Sequence, residues 1–426
     1  DQQRLAQLSV FAGGWSLRAA RQVLDEEDEI ELLDALARMH ALSLIFADTA
    51  ATGEPRQHLL ETVREYASAL LERSPHAEAA RRRHVLACMA IAQEISCALE
   101  AGAAPAQSRM AAEMANFRAA HAWCGRAEED AALGLRLVNA LAGCWLLAGM
   151  PSQGLELTVE ALARPGAASL TPQRAEALLQ VGRLGYFSQQ PARAQAALQS
   201  CLEAADALHL PVLRARALAR LSDLAWPDGD FALAHRQAAE AVALLRAHGG
   251  PEDAPYLSSA LNALGNTARF IGDLEAAERA YEAALDVAQP VDRRAGQVIM
   301  RVNLVVARLL RRHEDAGRAL LRQVAEVQRH AASPLVDKNL LRGCAAYALF
   351  RREWHWALVL RAAEEELARR IGHYVTPDPY VWEREPVARA ALGEAAAARA
   401  CTEGRSLSVE ELMTRVRSWL DRLTGD

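Results

Sequence analysis

The chain has 426 residues and a formal net charge of −6, so no overall positive charge favours nucleic acid or an anionic membrane. Hydrophobic residues make up 51% of it but aromatic residues only 5%, because alanine and leucine supply most of the apolar share. Glycine and proline separate long alanine- and leucine-rich stretches, and β-branched runs are scarce, which predicts an all-α fold.

The seven cysteines are scattered and include no C-x-x-C pair. This pattern favours free thiols in a reducing cytoplasm over a disulfide framework. We find no signal peptide and no uninterrupted apolar run of the ~20 residues that span a bilayer, so no membrane contact is expected. The chain opens at Asp1 inside a predicted helix, which suggests a piece of a longer protein.

Residues 1–75 are predicted to form three helices, a β-hairpin and a further helix. A Gly-Gly break separates the first helix from the second, which Ser16 caps, and the third helix ends near Met39. Strands are expected at 42–47 and 56–60, on either side of a polar turn, and the next helix begins near Glu61. This order of elements is the winged-helix pattern.

The middle of the chain contains a repeat of about forty residues. Its clearest copy, 258–290, has Leu261, Leu264 and Gly265 on a first helix and Tyr281 on a second, which closely resembles a tetratricopeptide unit. The same frame fits well from 135, 175 and 215, and weakly from 297 and 338. We therefore predict a tetratricopeptide-like right-handed superhelix preceded by a small winged-helix-like domain, with an irregular helical bundle as the alternative.

Several longer stretches resemble a known family. LSVFAGGWSL (8–17), LLDALARMHALSLI (32–45) and HLLETVREYASALL (58–71) resemble the winged-helix segment of STAND-type regulatory ATPases, the bacterial transcription regulators of the LuxR, antibiotic-regulatory and related classes. Residues 82–84 and 116–123 are similar to the helical linker of that family, and 390–394 with 403–408 to its closing segment. The resemblance implies a winged-helix-like domain at 1–75, a linker at 76–134, repeats at 135–400 and a C-terminal helix at 401–426.

The nucleotide site of that family requires a glycine-rich loop ending in Gly-Lys-Ser/Thr, and this chain has none. Its only lysine, Lys338, lies in an unrelated context. ATP is therefore expected only in a nucleotide-binding domain outside this chain, and DNA only through a further module. By the resemblance, the winged-helix-like part is expected to pack on the regulator's own ATPase domain instead of reading DNA, and the acidic run 25–29 would also repel phosphates.

No catalytic pattern such as H-E-x-x-H or G-x-S-x-G occurs, and the histidines are dispersed. His355, between Trp354 and Trp356, is the most unusual of them. We favour helix packing over a ligand site for these three residues, and a solvated helix face for the acidic run 364–366. The chain is predicted not to be an enzyme and to hold neither metal nor cofactor.

A binding groove is predicted on the first helices of the repeats. In each unit these helices line the inner surface, where positions 2, 5, 9 and 12 share one face. Those positions are rich in arginine, asparagine and aromatic residues, which suit an anionic or hydroxyl-rich ligand. The groove residues are Arg183, Tyr186, Arg216, Asp223, Trp226, Asn262, Asn266, Arg269, Arg301, Arg308 and Arg342. The alternative is that they pair with acids of neighbouring units.

We therefore expect a signal-sensing and autoinhibitory module of a STAND-type transcription regulator. By the resemblance, a small-molecule inducer or a partner protein or peptide would bind in the groove, and the winged helix would relay that state to the ATPase. A stand-alone scaffold for protein–protein interaction is the alternative. An enzyme with an unfamiliar site is a third reading, which nothing in the sequence supports.

Overall fold

The computed structural model describes residues 1–48, 55–100, 103, 106–225, 230–288, 294–330, 333–371 and 379–423. Within these ranges the chain forms 21 α-helices and one two-stranded antiparallel sheet, which confirms the all-α prediction. It divides into two compact units, the first holding most of residues 1–180 and the second most of residues 181–426.

The first unit follows the predicted order of elements at its start. The strands pair antiparallel from Ile45 with Leu59 to Asp48 with Arg56. A core of large apolar side chains, including Phe11 and Trp15, lies beneath them. The elements are α1 (Gln2–Leu8), α2 (Leu17–Leu24), α3 (Glu29–Ala41), β1 (Ile45–Asp48), β2 (Arg56–Leu59), α4 (Glu61–Glu72), α5 (Ala77–Glu100), α6 (Ala106–Trp123), α7 (Ala131–Leu147), α8 (Pro151–Ala163) and the start of α9 (Pro172–Phe187).

Local chemistry sets the ends of the short helices in this unit. The Ser16 hydroxyl accepts a hydrogen bond from the N–H of Ala19 and so caps α2, as predicted. The Asp28 carboxylate caps α3 in the same way. Helices, strands and caps thus agree with the expected order, while the winged-helix assignment and the bounds of the four expected domains stay predictions.

One segment of the first unit has the length and apolarity of a membrane span. The segment Glu128–Leu147, which contains α7, includes an 18-residue window with a mean hydropathy of 1.3, whereas no such segment is expected from the sequence. In the structure 67% of that window is buried inside the protein. Such burial is typical of a core helix, and the large side chain of Trp145 is packed within the interior.

The second unit is a stack of antiparallel helix pairs. The end of α9 pairs with α10, and the later pairs follow in chain order. Its further helices are α10 (Pro191–Ala207), α11 (Pro211–Ala225), α12 (Phe231–His248), α13 (Ala254–Phe270), α14 (Leu274–Ala288), α15 (Arg294–Leu310), α16 (Glu314–His330), α17 (Pro334–Phe350), α18 (Trp354–Arg370), α19 (Pro379–Leu392), α20 (Glu394–Ser406) and α21 (Val409–Arg422).

Each predicted repeat coincides with one helix pair, so the tetratricopeptide-like repeat fold is confirmed. The first helices α11, α13, α15 and α17 contact one another in succession, whereas the second helices α12, α14, α16 and α18 make at most marginal contacts with each other. Helices on the inside of a curved stack lie closer together than those on the outside. The first helices therefore form the inner row of this superhelical arrangement, as predicted.

The turns inside the pairs share one backbone feature. Gly149, Gly272, Gln189, Arg312 and Arg352 each have a positive φ at the turn from a first helix to a second. A left-handed residue lets the chain reverse sharply, and glycine adopts it at least cost. In the repeats from 297 and 338 an arginine occupies this turn, where the clearest repeat has Gly272.

Arg352 offers a direct test of that cost. Its φ is 61°, and the side chain is exposed. We expect Arg352→Gly to raise the free energy of unfolding by about 0.5–1 kcal/mol, since relief of the left-handed strain exceeds the entropy cost of glycine. Denaturant titration followed by circular dichroism measures the change. Arg352→Ala keeps a Cβ and should bring no gain; an equal gain in both variants would contradict the strain explanation.

Candidate functional site

The structure places the predicted groove residues on the inner row of helices. They lie on α9, α11, α13, α15 and α17, all within the second unit, and ten of the eleven are described; Trp226 lies outside the described residues. Their surroundings differ, however. The part on α13, α15 and α17 forms one connected hydrogen-bond network, and it contains a residue that the sequence analysis missed.

That residue is Asn303 of α15, which is 4% exposed. Its Nδ2 donates to the Oδ1 of Asn262 at 2.8 Å and to the Oδ1 of Asn266 at 3.2 Å. Its Oδ1 accepts from Nη2 of Arg342 at 2.7 Å. Three first helices of successive repeats are thereby joined through one amide. We call the three asparagines 262, 266 and 303, together with Tyr281, the asparagine network.

Tyr281 connects the network to the packing of the repeat. Its ring lies over Gly265 so closely that a Cβ there would be 2.5 Å from the ring. Its hydroxyl lies 2.9 Å from Oδ1 of Asn266 and donates to it. The small residue that the repeat pattern requires thus lets an aromatic side chain of the second helix reach the inner face and orient an asparagine there.

The direction of every hydrogen bond in the network follows from one residue. A guanidinium can only donate, so Arg342 fixes the amide of Asn303 with its oxygen toward α17 and its nitrogen toward α13. The oxygens of Asn262 and Asn266 must then accept. Their own Nδ2 groups donate to no residue in the described part of the chain. The network therefore presents donors, and its complement is a ligand rich in acceptors.

Two partly buried cations lie on the same inner helices, Arg301 on α15 and Arg342 on α17. Arg301 donates to the neutral amide of Gln297 at 3.2 Å, and burial lowers its pKa. Arg342 is bound to Asn303, and its buried Nε has no acceptor among the described residues. Neither guanidinium forms an ion pair within the described ranges. Their charge therefore remains available to a ligand.

Arg308 and Asp223 already have ion-pair partners, and for Arg308 the partner is an acid of a neighbouring repeat, as in the alternative. Arg308 pairs with Glu282 of a neighbouring second helix at 2.9 Å. Asp223 accepts from Arg220 at 2.9 Å, while burial raises the pKa of Asp223. These two residues belong to the framework of the stack more than to a binding surface.

Two further predicted arginines, Arg216 and Arg269, face aromatic rings. The guanidinium carbon of Arg216 lies 4.0 Å from the ring centroid of Tyr256. That of Arg269 lies 4.9 Å from the centroid of Phe270, and Arg269 is only 8% exposed. Such contacts hold the cation in place by its attraction to the ring face. Tyr186 of α9, in contrast, stacks edge-on with its neighbour Phe187, and Arg183 lies half-buried on the same helix.

In the first unit, the stretches 8–17 and 116–123, both of which resemble the STAND family, contact each other. Asn116 accepts at Oδ1 from the N–H groups of residues 12 and 13, at 2.9 and 3.0 Å. Its Nδ2 donates to the carbonyl of Gly14 at 2.9 Å and to Glu113 at 2.7 Å. Arg56 of β2 forms a buried ion pair with Glu113 and also donates to the Gly14 carbonyl at 3.0 Å. This junction ties the Gly-Gly loop, the hairpin and α6 together.

The Trp-His-Trp segment starts helix α18. Trp354 and Trp356 pack against the core of the second unit. The imidazole of His355 faces outward, with Nε2 at 3.1 Å from Oε2 of Glu403. This is the packing arrangement that we favoured.

The described residues include no group of three or more histidine, cysteine or acidic side chains that could hold a metal ion. Six of the seven cysteines are buried and Cys97 is exposed, and all are free thiols. Burial raises the pKa of Cys144 to about 11, which keeps that thiol protonated.

No protein-family model matches the chain, and no curated protein does. Among solved structures it is similar to a signal transduction ATPase with numerous domains, a STAND protein with a tetratricopeptide repeat sensor from Pyrococcus horikoshii. The identity is 13% over 99% of this chain and 65% of that one, with a TM-score of 0.47. It is also similar to a Rap protein complexed with competence and sporulation factor, at 11% identity over 80% of this chain and 99% of that one, with a TM-score of 0.48. Both similarities concern the arrangement of helices.

Proposed function

We propose that this chain is the signal-sensing and autoinhibitory module of a STAND-type transcription regulator, and that the asparagine network binds the signal. The proposal has two supports, which are the family-like stretches of its sequence and the chemistry of the inner helices. The proposal that this network binds the signal rests on one observation, which is the direction of the hydrogen bonds in the asparagine network. Arg342 forces both amides of α13 to present donors, so the ligand must supply acceptors.

Two ligand classes satisfy that requirement. A peptide offers a carbonyl oxygen at every residue, and a small inducer with carboxylate or phosphate groups offers several acceptors on one molecule. The guanidinium groups of Arg342, which is bound to Asn303, and of Arg301 on α15 favour a ligand with negative charge in either class. We infer an acidic peptide segment or a small anionic inducer, held across α13, α15 and α17.

Binding can be relayed only if the ligand prefers one arrangement of the stack. The network joins three successive repeats, so a ligand bound there contacts three helices at once and favours the spacing at which all of its bonds form. We propose that this preference passes to the nucleotide-binding domain of the regulator, outside this chain. Transcription would then respond through a DNA-binding module that also lies elsewhere.

Helix α3 of the first unit carries exposed apolar side chains that suit contact with another protein. Ile30 and Leu33, one turn apart on α3, are 73% and 47% exposed, and Leu42 at the end of that helix is 70% exposed. Exposed apolar groups of this size favour a protein surface over water. Together with the acidic run before α3, they support packing on the ATPase domain more than binding to DNA.

A matched pair of arginines tests the binding proposal. Calorimetry against an array of acidic and neutral peptides and a panel of anionic metabolites identifies a ligand. Arg342→Met should then weaken its affinity by about tenfold or more, because a charge-assisted hydrogen bond is lost and Asn303 is no longer fixed. Arg308→Met, whose partner Glu282 neutralises it in the wild type, should change the affinity less than threefold.

Equal losses in both variants would contradict the assignment of the site to the asparagine network. The scaffold alternative predicts another outcome. A pull-down would then capture a protein whose binding neither arginine variant alters. Calorimetry would detect no binding of any peptide or metabolite from the screen. The thermal midpoints of both variants should match the wild type, so that altered binding is not mistaken for unfolding.

A further inference from the structure

The only lysine of the chain occupies an unusual environment. Lys338 lies in α17, one turn before Arg342, and is 7% exposed. It forms no hydrogen bond and no ion pair with any residue in the described ranges. Lysines are almost never buried without a partner, because desolvating an ammonium group is costly. The Lys338 side chain is thus largely withdrawn from water and has no counter-ion among the described residues, an environment that favours an anionic partner.

The charges around Lys338 strengthen that conclusion. Arg342, about 6 Å along the helix axis, repels it, and burial together with this repulsion lowers the pKa of Lys338 to about 8. Glu364 of α18 attracts it from beyond ion-pair distance. The carboxylate of Glu364 is itself held by Arg361 in a buried ion pair. The acid that would otherwise neutralise Lys338 is thus engaged elsewhere.

Lys338 and Arg342 extend the donor surface of the asparagine network. They are four residues apart and therefore lie on the same face of α17. Arg342 reaches α15 through Asn303 and keeps one buried donor without an acceptor. One face of α17 thus carries a buried lysine and a half-buried arginine, and the arginine is bound to an asparagine of the asparagine network.

We propose that Lys338 anchors an anionic group of the ligand, a carboxylate or a phosphate, which binds its ammonium group beside the guanidinium of Arg342. The inference rests on the proposed function and assigns the charge of the ligand to one residue. Lysine suits this position because its compact ammonium group fits a nearly closed site, whereas arginine, used everywhere else in the chain, carries a broad planar group.

The single lysine makes a clean chemical test possible. N-hydroxysuccinimidyl acetate modifies amines, and mass spectrometry of the Lys338 peptide gives the rate at this residue alone. Inorganic phosphate and succinate, each at millimolar concentration, are the probes, and glycerol is the uncharged control. We expect at least one anion to slow the modification severalfold in the native protein and neither to do so in the urea-unfolded chain. Protection by phosphate alone or by succinate alone identifies the anionic group.

Calorimetry with the protecting anion then tests the role of the side chain. Lys338→Met keeps most of the side-chain length without the charge, and should bind about tenfold or more weakly, with a thermal midpoint no lower than that of the wild type. Absence of protection by both anions, or equal anion binding by Lys338→Met, would overturn the inference. The proposed function fails separately, when Arg342→Met and Arg308→Met bind the ligand from the screen equally well.

Discussion

Replacing Arg56 with methionine is expected to lower the free energy of unfolding by about 3–5 kcal/mol, the largest loss that we predict for this chain. The ion pair of Arg56 with Glu113 is buried, with side-chain exposures of 9% and 6%. Removal of the cation leaves a buried carboxylate whose remaining partner is the amide of Asn116. It also removes the donor to the Gly14 carbonyl. Denaturant unfolding monitored by circular dichroism measures the loss.

The double variant Arg56→Met with Glu113→Leu is the matched control. Both charges are then absent, so the double variant should be more stable than Arg56→Met alone, even though it carries one more substitution. If the two losses simply added, the ion pair would not be the source of the effect. The result also bears on the family resemblance, because the Gly-Gly stretch and the 116–123 stretch meet at this junction.

Gly404→Val should cost about 3 kcal/mol, at the upper end for an overpacked position. Helix α20 passes α18 so closely that a Cβ at Gly404 would lie 2.2 Å from the carbonyl oxygen of Val359. A backbone carbonyl cannot rotate away as a flexible side chain can, so the two helices must separate. The thermal midpoint of the variant should fall together with the helical signal.

Gly296→Ala is the control for this substitution. Gly296 is also helical, but a Cβ there would meet nothing within 4 Å. Alanine is the better helix former, so this variant should gain about 0.5–1 kcal/mol. A stable Gly404→Val variant would show that α20 can move away from α18 without loss of packing.

Much of the fold could be predicted because small residues recur at the helix crossings. Gly265 and Gly182 stand opposite Tyr281 and Leu198, and both contacts require a residue without a Cβ. The last repeats were harder to recognise, since the arginine at each turn carries no sign of its left-handed backbone. The close approach at Gly404 depends on two helices that are distant in sequence, and no local pattern shows it.

The site could be predicted only in part. The helical period identified Asn262, Asn266 and Arg342, but a fixed frame of positions excluded Asn303, because the register on α15 differs. A usable signal existed, since Asn303 lies one repeat length after Asn262. The frame could not distinguish Arg308, which Glu282 neutralises, from Arg301. Glu282 lies on a second helix, and its contact with Arg308 is visible only in the folded structure.

The fixed orientation of the Asn262 and Asn266 amides on α13 has a thermodynamic consequence. Each holds its orientation through bonds to the protein before any ligand arrives, so rotamer entropy has already been lost during folding. Association then needs little further ordering of these side chains, and the heat of new bonds is not offset by that loss. Recognition by this face is accordingly rigid, and a molecule whose acceptors are misplaced by a bond length meets side chains that do not adapt to it.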